Sequence, residues 1–410
     1  MRNVGKGAYQ VLLLFSFLGV LFIPFSFRYL PFQSDITTFI FQDLIAWIAS
    51  LVNCLHITDS TISSDSTTLY VLVLLLFLIA LLSILILSYV RVWKKYQHVI
   101  FQTIQLVLVG YLSLVLLKYG FDKLFKAQFY LPEPNTLYTP LGMLDKDILY
   151  WSTMGVSHTY NVFIGFAELL PAILLLFNRT RMLALCILFG VLLHVVFVNI
   201  GFDISVKLYS IFLLLVCTAL LLPSIKSILQ FFVLQQPTVL TSISGASVIP
   251  SNTKRGILKA LVLVFFFFES LFPYILSGHY NDDHIPRNQL HGAYEVLPSD
   301  TLPAKGSGEH PNIKRIFIHR HNYLIFQYAD DRMEDFQLEI QPNKNQFILT
   351  NYDGEKIVAH YSYSEKTNIL ELKFDGLNWM ITLKALPWKN LPLLQPLFHW
   401  TVDGIGVPLN

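Results

Sequence analysis

The chain has 410 residues, 54% of them hydrophobic, and its 29 Lys and Arg nearly balance 27 Asp and Glu to a net charge of +2. That balance, with no basic stripe interleaved with aromatics on a soluble stretch, excludes a nucleic-acid binder. The three cysteines, Cys54, Cys186 and Cys217, are dispersed and form no CxxC, which excludes a disulfide framework and thiol–disulfide chemistry.

In chain order, seven apolar runs stand out, at 8–30, 69–90, 99–119, 159–177, 181–200, 205–222 and 258–277. A membrane-spanning helix needs about 20 predominantly apolar residues, and each run meets that length or nearly so. Alternate connections carry basic residues and no carboxylate: Arg2 and Lys6; Arg91, Lys94 and Lys95; Arg179 and Arg181; then Lys226, Lys254, Arg255 and Lys259. Short cytoplasmic loops collect Lys and Arg, so the expectation is a multi-pass protein of the bacterial inner (plasma) membrane. Its N-terminus lies in the cytoplasm and everything after Ser277 lies outside. The first run starts basic but continues through FIPFSFRYLPF with no small-residue cleavage site, and so reads as an uncleaved span ending near Arg28.

Between the runs, 33–67 lacks Lys and Arg. Its front part places Ile36, Ile40, Leu44, Ile48, Leu51 and Leu55 on one helical face, with Thr37, Gln42, Asp43 and Asn53 largely on the other, the pattern of a helix lying on the outer leaflet. A polar linker, HITDSTISSDSTT, follows. The outer segment 119–157 is long for a connection and rich in aromatics, with Lys126, Glu133, Lys146, Asp145 and Asp147 among its charges. The stretch 224–257 begins as a surface helix and becomes a loose linker.

After the seventh run the charge balance inverts, from 17 basic against 11 acidic residues over 1–278 to 12 against 16 over 279–410. The period also changes. IKRIFIH, NYLIFQY, DFQLEI, QFILTN, KIVAHY, ILELKF and WMITLKAL are short β-rich segments separated by turn signals such as Asp353–Gly354 and Asp375–Gly376, the pattern of an antiparallel sandwich or barrel-like all-β domain. Its core is expected to use Phe317, Phe326, Phe336, Phe347 and Trp379. The organisation expected is thus 1–98, two spans with an outer interfacial helix; 99–223, a four-helix membrane bundle; 224–257, a cytoplasmic linker; 258–278, the seventh span; and 279–410, an extracytoplasmic β domain.

Polar residues gather at the outer ends of four sequential spans: Lys118, Asp122, Lys123, His158, Asn161, Glu168, His194, Asn199, Asp203 and Lys207. Glu168 sits mid-span, where a carboxyl group must face the bundle interior and be paired or protonated. Its candidate partners are Lys118, Lys123, His158 and Asn161. Pro171 bends the same helix. His158 and His194 are the pair a bis-histidine haem would need. Asp203 and Lys207, four residues apart, form a pair at the start of the sixth span. Just outside the membrane, His279, Asp282, Asp283, His284 and His291 are the metal-ligating residue types, in a spacing that matches no zinc pattern. His319 and His321 flank Arg320 and read as surface residues. No Gly-rich phosphate loop, GxSxG, HExxH or GxGxxG is present.

The pieces LVGYLSLVLLKYGFDKLFKAQF and GFAELLPAILLLFNRTRMLALCILFG, with the Glu-x-x-Pro step and the Arg-Thr-Arg turn, make 110–223 similar to the DoxX-like family of four-helix membrane proteins. The further run FVNIGFDISVKLYSIFLLL is similar to seven-span relatives with an extracytoplasmic C-terminal domain. The family takes its name from a small subunit associated with a thiosulfate:quinone oxidoreductase, and the resemblance implies a fold much more than a function. Three functions are expected in descending order. The first is an accessory membrane subunit that binds lipid, quinone or another membrane protein and, through its β domain, an envelope partner. The second is a quinone-linked oxidoreductase or redox-complex subunit using the polar cluster. The last is a transporter, disfavoured by the lack of an inverted repeat.

Overall fold

The structure, a computed structural model, describes residues 3–51, 62, 64–240, 243, 251–297, 312–375, 379–395 and 400–401. Cys54 and Leu55, parts of the linkers 56–68 and 235–256, and the side chains of Leu51 and Trp379 lie outside the described residues. The chain divides into two compact units, one of Met1–Phe129 with His158–Asp282, the other of Tyr130–Ser157 with Asp283–Asn410. The long outer segment between the third and fourth apolar runs is therefore part of the β unit from Tyr130 to Ser157, not of the helical 99–223 region.

The helices are α1 (Asn3–Phe22), α2 (Gln33–Leu51), α3 (Thr67–Ser88), α4 (Arg91–Leu124), α5 (Pro134–Leu137), α6 (Lys146–Gly155), α7 (His158–Leu175), α8 (Arg181–Gly201), α9 (Lys207–Leu221), α10 (Ile225–Phe232), α11 (Asn252–Ser270) and α12 (Phe272–Ser277). Six stretches among the described residues are long and apolar enough to cross a membrane: Gly5–Phe22, α3, α4, α7, α8 and Lys207–Phe232. A seventh exists if the pair α11 and α12, bent by 46° at Leu271, counts as one span. Pro273, in the first turn of α12, has no N–H for the carbonyl of Glu269, which accounts for the bend.

α1 ends at Phe22, short of the expected Arg28. Pro24 cannot donate to the Val20 carbonyl, and Gln33 takes over the helix end. Its amide nitrogen lies 3.1, 3.2 and 3.0 Å from the carbonyls of Val20, Leu21 and Ile23, and Thr37 donates to the Phe22 carbonyl at 3.0 Å. α2 forms as its periodicity requires, but it buries Thr37, Phe41 and Ile45, while Ile36, Ile40 and Leu44 are exposed. The apolar stripe thus faces outward, as for a helix immersed in a leaflet.

α4 and α7 cross through glycine. A Cβ on Gly120 would stand 3.1 Å from the Gly165 carbonyl oxygen, and one on Gly165 would stand 3.0 Å from that of Gly120. Small residues let membrane helices approach backbone to backbone, and a turn further along each helix this brings Lys123 opposite Glu168. The Ser113 hydroxyl, donating to the Ala172 carbonyl at 2.8 Å, ties the same two helices.

In the second unit, strands β1 (Gly292–Val296), β2 (Ile313–His319), β3 (Tyr323–Tyr328), β4 (Met333–Gln341), β5 (Gln346–Thr350), β6 (Lys356–Ser364), β7 (Ile369–Phe374) and β8 (Trp379–Ala385) form a closed antiparallel barrel in sequence order. β1, which no β-rich run in the sequence marks, pairs with both β2 and β8 and removes the open edges. Eight strands leave an interior just wide enough for side chains, and Ile316, Ile318, Phe326, Phe336, Phe347, Leu349 and Leu383 fill it. Phe317 faces the other way. With Ala293 and Ile325 it forms a second cluster on the outer surface of β1–β3, covered by Tyr138 and Trp388. β2 and β3 are buried on both faces there, which explains why IKRIFIH and NYLIFQY read as nearly continuous apolar runs.

Candidate functional site

The outer polar cluster resolves into separate pairs. Lys123 Nζ lies 2.8 Å from Glu168 Oε2, with both side chains buried, so Lys123 is the partner among the candidates considered. The Lys123 ammonium also lies over the rings of Tyr119 and Phe129, at 5.2 and 5.9 Å. Asn161 is buried and its amide points at the Phe129 carbonyl. Asp122 accepts from the Tyr274 hydroxyl on α12. Asp203 and Lys207 form the expected pair at 2.7 Å, although Asp203 is largely exposed. Asn199 is buried on α8. His158 and His194 are both exposed.

Two acidic residues outside the expected cluster complete this picture. Glu269, fully buried on α11, lies 3.7 Å from Lys118 and accepts from the backbone N–H groups of Arg28 and Tyr29 at 2.5 and 3.0 Å. Its signal in the sequence is the lone carboxylate in LVLVFFFFES. Asp65 accepts from the Lys207 and Leu208 N–H groups at 2.9 and 3.0 Å and closes the start of α9.

Between these pairs is a cavity of about 690 Å³. Its apolar lining is Ile23, Pro24, Phe25, Phe27, Pro31, Ile62, Leu69 and Val206. Lys118, Asp122, Asp65, Tyr119, Tyr209 and three serines, Ser26, Ser34 and Ser64, supply the polar groups. The Tyr209 hydroxyl is 2.9 Å from that of Tyr111. An apolar chamber with a few convergent polar groups, of this size, is the usual form of a small-molecule site.

Among the metal candidates, Asp282, Asp283 and His291 take part in hydrogen bonds. Asp283 Oδ1 accepts from the Leu131 N–H at 2.8 Å, and the Asp282 N–H donates to the Phe125 carbonyl. No group of three or more His, Cys, Asp or Glu suited to hold one ion occurs among the described residues.

His291 instead joins a buried knot in the β unit. Glu133 Oε2 lies 2.7 Å from His291 Nε2, Glu133 Oε1 accepts from the Arg320 guanidinium, and Oε2 also accepts from the Arg320 backbone N–H at 3.3 Å. His319 Nε2 stands 4.0 Å from the same oxygen. Burial alone would raise the Glu133 carboxyl, but the His291 hydrogen bond and the charges of Arg320, His291 and His319 outweigh it and hold it down to about 2. Burial pushes His319 down to about 4, against the pull of Glu133. Of the two histidines expected at the surface, His321 is exposed but His319 is mostly covered, as is Arg320, because segment 130–157 lies on them; Arg320 stacks 3.9 Å over the Tyr130 ring.

No family model matches the chain, and no solved structure matches it. Over 71 residues the chain is 42% identical to an uncharacterized protein, YwoB, of Bacillus subtilis (strain 168). The matched stretch is 17% of this chain and 46% of that protein, so the chain spans under half of that relative's length.

Proposed function

We propose that this is a DoxX-like accessory subunit of a bacterial inner membrane, whose helical unit holds an amphiphilic ligand, a lipid or a quinone, in the Lys118 cavity. The observation that carries the reading is the cavity itself: apolar walls suited to a chain or ring, with one lysine, two carboxylates and two tyrosines among its lining groups. Lys118 is pre-positioned by Glu269, and the loop that carries Phe25 and Phe27 is tied to the same carboxylate through Arg28 and Tyr29.

The topology belongs to the same proposal. Segments 130–157 and 283–401 fold into one unit, so the number of crossings between Phe129 and Asp283 is even. α7, α8 and α9 make three, and the bent pair α11 and α12 must be the fourth. With the N-terminus placed inside by its basic loops, the β unit is extracytoplasmic and available to an envelope partner.

A second reading, a quinone-linked redox subunit, rests on the phenols: a tyrosine hydroxyl beside an apolar chamber suits the carbonyl of a quinone. Lipid extraction and mass spectrometry of the purified full chain test both. A stoichiometric lipid or quinone that disappears in Val206→Trp, which fills the cavity, is expected. Recovery of neither above the level in that variant refutes the proposal, and a quinone that the protein neither retains nor reduces leaves only the lipid reading standing.

A further inference from the structure

A second chamber, of about 460 Å³, lies between the beginnings of α1 and α4, at the end of the bundle away from the Lys118 cavity. Lys6 and Lys94 line it together with His98, and none of its lining residues is a carboxylate. Neither lysine has an acidic partner among the described residues. Its walls are held in place by hydrogen bonds across the two helices: the Gln10 amide donates to Gln97 Oε1 at 2.9 Å, and the Gln105 amide donates to the Tyr9 hydroxyl at 2.8 Å. Because Tyr9 accepts there, its own hydroxyl hydrogen is left to donate. Deeper in, Leu13 and Phe101 give the chamber an apolar wall.

Lys6, Lys94 and His98 are exposed at its open rim, while Leu13 and Phe101 are buried at its inner end. Here two cations, a phenol and several carboxamides converge on one chamber that passes into apolar wall, and α1 and α4 are both spans. We infer that this chamber binds the phosphate headgroup of an anionic phospholipid, with Lys6 and Lys94 as the charge partners, the Tyr9 hydroxyl as a neutral donor, and Leu13 and Phe101 against the first carbons of the acyl chain. Guanidinium-free recognition of this kind uses lysine as a point charge and the carboxamides for orientation. The site is independent of whatever occupies the Lys118 cavity.

The test uses the full chain in detergent, titrated with phosphatidylglycerol or phosphatidylcholine and followed by native mass spectrometry and thermal unfolding. Phosphatidylglycerol is expected to bind stoichiometrically and raise the melting temperature, with phosphatidylcholine far weaker. Lys6→Gln with Lys94→Gln should weaken phosphatidylglycerol roughly thirtyfold, about fivefold for each basic group near an anionic surface. Lys226→Gln with Lys254→Gln, basic residues off the chamber, should change nothing. Inorganic phosphate titrated alone separates the sources: stabilisation equal to that by phosphatidylglycerol would assign the chamber to a free anion and overturn the lipid assignment. Equal binding of the two lipids, or equal losses in both double variants, overturns the site altogether. If the first double variant is poorly folded, the salt dependence of wild-type binding decides: a lysine-held phosphate weakens as ionic strength rises, and indifference to salt refutes it.

Discussion

Glu168 was legible because a carboxylate in the middle of an apolar run demands a partner wherever the chain places it. Which partner it takes depends on the close approach of Gly120 and Gly165, which sequence spacing alone does not reveal, since it requires knowing that α4 and α7 are the helices that cross. Glu168→Ala should therefore lower stability by about 3–5 kcal/mol, the usual cost of leaving one member of a buried pair alone. Glu168→Gln should be milder, because its amide oxygen still accepts from Lys123; thermal unfolding in detergent reads the difference, and equal melting temperatures for all forms refute it. Glu269 lies on α11, outside the four-helix region, so the spacing of polar residues within that region does not reveal it. It holds Lys118 and two backbone N–H groups at once, so Glu269→Ala should be at least as damaging as Glu168→Ala and should also lower ligand retention in the adjoining cavity.

At the scale of elements, the spans and seven of the eight strands follow from hydrophobic period, whereas β1 does not. GAYEV is short, begins with glycine and carries a glutamate, so it earns its place only by pairing with β2 and β8 at closure. Segment 130–157 was illegible for a related reason: its apolar residues have no period of their own and match the outer surface of a barrel formed far along the chain. Its anchor gives the unit an acid sensitivity with a definite sign. His319, held down to about 4 from its ordinary 6.5, resists protonation in the fold, so stability falls as pH drops from 6.5 towards 4. Glu133, held down to about 2 from 4.5, contributes stability above 4.5 that is lost as pH falls towards 2. Melts recorded from neutral pH downward should decline in both windows. His319→Gln should flatten the upper one and narrow the lower only slightly, since the His291 hydrogen bond and the Arg320 charge still hold Glu133 down; an unchanged upper window would remove His319 from the account.

For the whole molecule, the helical and β units are built by different rules, and the two segments of the β unit constrain the topology of the spans between them. Reporter fusions after Lys95, Arg181 and Lys226 should behave as cytoplasmic, and fusions after Ser277 as external; a cytoplasmic C-terminus would break the even count of crossings. The β unit then offers a sharper test. The barrel closes on itself and has a filled interior, so 283–410 expressed alone should give a β-type circular dichroism spectrum and a cooperative melt. It would also bare Ala293, Phe317 and Ile325, which Tyr138 helps to cover in the intact chain, and would leave Arg320 without Glu133. Burial of a large apolar side chain contributes about 1.5–3 kcal/mol, so Phe317 and Ile325 together make the loss of several kcal/mol the expected effect. Joining 130–157 to the front of 283–410 through a flexible linker should restore it, raising the melting temperature and suppressing binding of a hydrophobic dye. Glu133→Ala in the joined form should cancel most of that gain, because it leaves the Arg320 guanidinium buried and unpaired. If the two forms melt together and bind dye equally, segment 130–157 is no structural part of the barrel, and the even-crossing argument for a seventh span falls with it.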